Sequence, residues 1–130
     1  MDGAIDASLR NIWRIFLTAS NRGAEQHMRT ADYVSRYMTL TKEVMPRLAQ
    51  TSHRYWPVRN DHCFQRIVLD AVCGGTWYDH IARPAYKHLT RDQALQAVTL
   101  CDRIISGEAD LAQLNRQSLV WRGKLREENN

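Results

Sequence analysis

The sequence predicts an all-α protein, a single-domain bundle of five or six helices. Apolar residues recur at the helical period of about 3.6 through most of the chain, and no stretch alternates between apolar and polar residues as a strand does. A length of 130 residues with 44% hydrophobic content suits one core. We therefore expect one helical domain over residues 1–130, with a possible helical pair over 1–50 packed on a helical unit over 51–124.

Two helices are predicted before residue 50. The first begins near Asp6 and carries an apolar series on one face until Gly23 ends it. The second runs from about Ala24 to Ala49. Pro46 lacks a backbone N–H and should kink or restart this second helix. The apolar series of the first helix comprises Leu9, Ile12, Trp13, Phe16 and Leu17.

A loop and a third helix follow. Residues 50–60 break the periodicity, because the Trp56-Pro57 step favours extended backbone. Asn60 or Asp61 can then cap a helix, since their side chains accept hydrogen bonds from free N–H groups at a helix start. The inward face of this helix holds Phe64, Ile67, Val68, Ala71 and Val72.

Two capping-box patterns predict the starts of later helices. Thr76 with Asp79 opens a short helix, which Pro84 cuts off. Thr90 with Gln93 opens a longer one, because the two side chains can each bond the other residue's backbone N–H.

Glycines mark the predicted ends of three helices. Gly74, Gly107 and Gly123 each follow an apolar periodic stretch, where a left-handed residue commonly ends a helix. The last of these helices is predicted to begin at about Glu108.

The chain is basic, with a formal net charge of +4 and an isoelectric point near 9.2. Of its 18 lysines and arginines only three are lysines. Arginine carries a planar guanidinium that suits phosphate, carboxylate and aromatic faces. The positive charge concentrates in residues 53–91, which hold six cations against three acids, together with four of the five histidines.

Tyrosine and tryptophan rings alternate with these arginines, a pattern typical of nucleic-acid binding. Rings accept base faces while guanidinium groups bind phosphate. The alternative is that the same rings fill helix junctions inside the protein. The residues expected to bind a ligand are Arg54, Trp56, Arg59, Arg66, Tyr78, Arg83, Tyr86 and Lys87.

A second hypothesis places catalysis on the third helix. His62, Arg66 and Asp70 stand four residues apart and share one face of that helix. His62 would act as acid/base, Arg66 as anion clamp and Asp70 as the group that orients the imidazole. The alternative is a solvated face with an Arg66–Asp70 ion pair worth about 0.3–0.5 kcal/mol.

The sequence gives no sign of a metal, a cofactor or a membrane span. Cys63, Cys73 and Cys101 form no CxxC pair, and neither an HExxH pattern nor a phosphate-binding P-loop occurs. No apolar stretch approaches the length of a membrane span. We therefore expect no metal, no cofactor, no membrane partner and a reducing, cytoplasmic location.

Several short motifs look like those of one protein family. They are the run Trp56-Pro57-Val58-Arg59-Asn60-Asp61-His62-Cys63-Phe64-Gln65-Arg66-Ile67, then Trp77-Tyr78, Pro84-Ala85-Tyr86, Leu89, Leu114-Asn115 and Ser118-Leu119-Val120-Trp121-Arg122-Gly123-Lys124. In these motifs the chain resembles, over about residues 55–124, small bacterial proteins often labelled GCN5-related N-acetyltransferases. The resemblance implies acetyl-CoA and an amine acceptor. The Arg/Gln-x-x-Gly-x-Gly/Ala pyrophosphate loop of that superfamily is absent from the sequence.

The sequence thus predicts a small basic helical protein whose partner is nucleic acid or a nucleoprotein. One alternative is a small acyl- or nucleotidyl-group transferase that uses His62, Arg66 and Asp70. Another is a protein-interaction module, such as an inhibitor or an assembly subunit.

Overall fold

The computed structural model describes residues 29–126 and is all-α over that range, with no strand. The predicted fold class is confirmed. The helical elements are α1 (Thr30–Thr39), a π-helical segment (Leu40–Val44), α2 (Met45–Gln50), α3 (Asp61–Cys73), α4 (Arg91–Ser106) and α5 (Leu111–Trp121). Two single 3-10 turns, Trp77–Asp79 and Ala85–Lys87, lie between α3 and α4.

The first described helix changes its hydrogen-bond pattern in the middle. α1, the π segment and α2 follow one another along the chain and form one continuous helix. In the π segment the N–H of Met45 donates to the C=O of Leu40, five residues earlier. Pro46 lies in the first turn of α2, where a missing N–H is tolerated. Of the predicted kink or restart at Pro46, the structure shows a new α-helical segment that begins at Met45 directly after a π segment.

Four predicted helix boundaries are confirmed by their caps. The side chain of Asn60 accepts a hydrogen bond from the N–H of Cys63 at 3.0 Å. Thr90 and Gln93 form the reciprocal capping box at the start of α4. Gly74 and Gly107 end α3 and α4 with φ of 71° and 88°, values that favour glycine because it has no Cβ.

Two predicted helices differ from the structure. Thr76 precedes a helical element as predicted, but this element is only the 3-10 turn Trp77–Asp79, and the Thr76 hydroxyl donates to the Asp79 carboxylate instead of accepting from a backbone N–H. The last helix starts three residues later than Glu108, since the side chain of Asp110 accepts from the N–H groups of Ala112 and Gln113.

The described range contains four separate helices, counting α1 to α2 as one. The predicted helix from Asp6 to Gly23 lies outside the described residues. The extended backbone of Arg29 sets the start of α1 at Thr30 rather than at about Ala24.

One apolar core joins residues from before and after the loop 51–60. α1 packs along α4, while α3 contacts both α4 and α5. Tyr33 and Tyr37 of α1, Ile67 of α3 and Val98 of α4 are buried in this core. The organisation of all 130 residues as one domain stays a prediction. None of the described helices is long and apolar enough to cross a lipid bilayer.

Trp56 belongs to this core, so its predicted role in ligand binding is wrong. Its side chain is only 4% exposed, and its ring meets Phe64 edge to face at 5.5 Å between centroids. His53 covers it from the loop at 4.6 Å. The Trp56 ring therefore packs back onto α3 and is not presented to a partner.

Replacing Trp56 with alanine should lower the free energy of unfolding by about 3 kcal/mol or more, because a large buried ring is removed. Urea unfolding followed by circular dichroism measures this loss. Tyr55→Ala is the matched control, since the neighbouring ring is 75% exposed and should change stability by less than about 0.5 kcal/mol. Equal effects of the two substitutions would contradict the assignment of Trp56 to the core.

Candidate functional site

Asp70, near the end of α3, is a fully buried carboxylate with four hydrogen bonds. It is 0% exposed. Its Oδ1 accepts from the N–H of Trp77 at 2.9 Å and its Oδ2 accepts from the Ser118 hydroxyl at 2.6 Å. Arg122 donates from Nε at 2.8 Å to Oδ2 and from Nη2 at 3.1 Å to Oδ1, a two-pronged ion pair. These hydrogen bonds from Arg122 to Asp70 raise the pKa of the guanidinium above its usual value.

Arg66, one turn earlier on α3, does not form the ion pair with Asp70 that the sequence offered as an alternative. Its Nη1 donates to the Ser118 hydroxyl and its Nη2 to the side-chain oxygen of Asn115, both at 2.8 Å. Ser118 thus stands between the two charged groups, donating to Asp70 and accepting from Arg66. Within residues 29–126 the guanidinium of Arg66 contacts only neutral groups and keeps an uncompensated positive charge.

Arg83 is the third cation of this region and lies on aromatic faces. Its guanidinium carbon is 4.7 Å from the ring centre of Tyr78 and 5.6 Å from that of Trp77. Arg122 lies 5.2 Å from the Tyr78 ring. Tyr78 therefore contacts two guanidinium groups, and its ring helps to hold them in place.

These groups surround a concave site, which we call the arginine cleft. It lies between α1, α3 and residues 77–86 and encloses about 560 Å³, a volume within the usual range of ligand sites. No aspartate or glutamate lines it among the described residues. The charged and aromatic side chains at its wall include Arg66, Arg83, Arg122, Trp77, Tyr86 and His62, and the buried Tyr37 of α1 also lines it.

The structure gathers part of the ligand-binding set predicted from the sequence. Arg66, Arg83 and Tyr86 line the arginine cleft, and Tyr78 supports it. Lys87 lines a neighbouring groove.

The remaining predicted binding residues lie in the loop 51–60, outside the cleft. Arg59 donates to the backbone oxygens of Ala49 at 2.6 Å and of Arg54 at 2.8 Å, so its guanidinium ties the loop to the end of α2. Its predicted role as a ligand contact stays a prediction. Arg54 is exposed but is not part of the cleft wall.

The predicted catalytic trio is not brought together. His62 lies at the edge of the cleft with a side chain that is 90% exposed, and the carboxylate beside it is Asp61 at 3.9 Å. Asp70 cannot orient the imidazole, because both of its oxygens are bonded to Trp77, Ser118 and Arg122. Arg66 is the one member that remains suited to bind an anion.

Sequence reasoning missed Arg122, Ser118 and Asn115 as members of the site. A signal was present in the stretch Val68-Leu69-Asp70-Ala71-Val72, since a carboxylate flanked by apolar residues is buried and needs a cation. Nothing in the sequence says which of the arginines supplies that cation.

Of the three cysteines, only Cys63 lies at the wall of the cleft. Cys101 is fully buried, and desolvation raises the pKa of its thiol above the usual range. Burial likewise raises the pKa of the Cys73 thiol. Over residues 29–126, no three His, Cys, Asp or Glu side chains come together as a metal site.

Asp70→Asn should lower the free energy of unfolding by about 3 kcal/mol, because it leaves Arg122 without a carboxylate in a largely buried place. Glu43→Gln makes the same chemical change at an exposed position and should alter stability by less than about 0.5 kcal/mol. Chemical denaturation of both variants measures the difference. A fully stable Asp70→Asn protein would contradict the structural importance of this ion pair.

The chain was also compared with protein-family models, curated proteins and solved structures. None of the three comparisons finds a match. The resemblance to proteins labelled GCN5-related N-acetyltransferases therefore stays a prediction, and any functional conclusion rests on the geometry of the arginine cleft.

Proposed function

We propose that this protein binds single-stranded nucleic acid and that the arginine cleft is the contact site. The observation that carries the proposal is the charge of the cleft. Arg66 and Arg83 have no carboxylate partner within the described range, and both line a concavity whose described wall contains no acid. Cations gathered in this way, without compensation, favour an anion.

The guanidinium groups of Arg66 and Arg83 are arranged to bind phosphate oxygens. Arg66 is held by Ser118 and Asn115, whereas the charge of Arg122 is already neutralised by Asp70. A side chain fixed as Arg66 is loses little conformational entropy when a ligand arrives. Arg83 rests on two rings and leaves its N–H groups available. Planar guanidinium groups bind phosphate with two parallel hydrogen bonds.

The rings of the cleft supply a second type of contact. Trp77 and Tyr86 line it, and Tyr86 is 44% exposed. Stacking of a base on an aromatic side chain contributes about 1–3 kcal/mol and tolerates any base sequence. A phosphate site with rings beside it suits a nucleotide better than it suits an inorganic anion.

A single strand fits this geometry better than a duplex. Duplex bases are stacked on one another and are read by an element that enters a groove of the nucleic acid. The arginine cleft is instead a recess in the protein, into which an unpaired base can turn. Unstacked bases of single strands are the form that aromatic side chains accept.

Arg83→Gln should weaken the binding of a fluorescent hexathymidylate by about tenfold, because one phosphate contact and one charge are lost. The slope of log affinity against log salt should also fall by about 0.7, the value for one phosphate contact on a single strand. Fluorescence anisotropy over a salt series measures both quantities.

Arg54→Gln is the matched control, since it removes the same charge from an exposed position outside the cleft. We expect it to change affinity by less than about twofold. Equal losses from the two substitutions would mean that the whole basic surface attracts nucleic acid without a site. Affinity of the unaltered protein that does not depend on salt would exclude phosphate binding altogether.

A further inference from the structure

A second groove adjoins the arginine cleft. It has a volume of about 620 Å³ and lies between α1 with the π segment on one side and residues 86–89 on the other. Met38 and Tyr86 line both concavities, so the two share a wall. The exposed ring of Tyr86 therefore stands at the boundary between them, in contact with either space.

The second groove carries its own positive charges. Lys87 and Lys42 line it. The ammonium of Lys87 lies 6.0 Å from the centre of the Tyr86 ring and has no acidic partner within residues 29–126. Lys42 is 3.9 Å from the Asp61 carboxylate, a long contact between partly exposed groups that is weak in water.

The second groove differs from the arginine cleft in two ways. It is lined by lysines, which bind phosphate as mobile point charges rather than as rigid forks. It also contains one acid, Glu43. The second groove should therefore attract an anion less strongly than the arginine cleft does. A weaker site of this kind suits the part of a nucleic-acid strand that follows a nucleotide already bound in the cleft.

From this juxtaposition we propose that the arginine cleft and the second groove are consecutive subsites for one nucleic-acid strand, which passes over Tyr86. The cleft holds one nucleotide by its phosphate and base. Tyr86 stacks with a base at the crossing, and Lys87 binds the phosphate of a following nucleotide. The proposal rests on the proposed function and adds a path and a minimal length of two nucleotides.

The test compares two probes, thymidine 5′-monophosphate and hexathymidylate, on the full-length chain. The first occupies one subsite and the second spans both. Lys87→Gln should leave the affinity for the monophosphate unchanged, weaken hexathymidylate binding by about threefold to tenfold, and lower its salt slope by about 0.7. Arg83→Gln should weaken the binding of both probes.

Glu43→Gln provides a test with the opposite sign. Removing this acid from the second groove should tighten hexathymidylate binding by about twofold to threefold and leave the monophosphate unaffected. Because Lys87 and Glu43 are exposed, neither substitution should unfold the protein. Thermal unfolding of each variant checks this.

The outcomes separate the path from the function. If Arg83→Gln weakens hexathymidylate binding but Lys87→Gln and Glu43→Gln leave it unchanged, the path over Tyr86 is wrong and the cleft remains the binding site. If both lysine and acid variants shift the monophosphate as much as the hexanucleotide, the two concavities form a single subsite and the path is again wrong. If neither probe binds, the proposed function fails with it.

Discussion

The ion pair between Asp70 and Arg122 is the interaction on which the rest of the site depends. A carboxylate at 0% exposure is stable only when its oxygens are fully bonded, and Asp70 meets that demand with three residues from outside α3. In doing so it fixes the end of α5, the start of the turn at Trp77 and the hydroxyl of Ser118. Each of these then positions one wall of the cleft. An apolar residue at position 70 would avoid the free-energy cost of burying a charge, but it could not hold Trp77, Ser118 and Arg122 in place by hydrogen bonds.

Ser118 is the residue that separates the two roles of arginine in this site. One guanidinium, that of Arg122, is neutralised and serves the fold. The other, that of Arg66, is held by neutral oxygens and keeps its charge for a partner. A direct pair between Arg66 and Asp70 would have been a compact solution for the helix, but it would have left the cleft without its best-ordered cation. The Ser118 hydroxyl keeps the two charged groups apart, because it donates to the Asp70 carboxylate and accepts from the Arg66 guanidinium at the same time.

The parts of the fold that follow from local chemistry were predictable, and the parts that follow from distant contacts were not. Asn60, Thr90 with Gln93, Gly74 and Gly107 act within four residues of themselves, so the sequence around each contains the whole argument. The partner of Asp70 lies 52 residues away, and only the packing of α5 on α3 brings it near. Trp56 was predicted to bind a ligand for the same reason, since the sequence does not show that its ring packs against Phe64 of α3. For the cleft, Arg66, Arg83 and Tyr86 could be identified from the pattern of arginines and rings along the sequence, while the presence of Arg122 required the fold.

The π segment has a consequence for the face that the first described helix turns toward the core. Five of its six buried positions recur at an interval of four, and the sixth, Leu40, lies next to Thr41. The five are Tyr33, Tyr37, Thr41, Met45 and Ala49. In a regular α-helix each step of four overshoots a full turn by about 40°, so the fifth position would have drifted by about 160° to the far side. The wider π turn takes fewer degrees per residue and cancels part of that drift. Because of the π segment, residues spaced four apart in the sequence stay on the same buried side of the helix from Thr30 to Gln50.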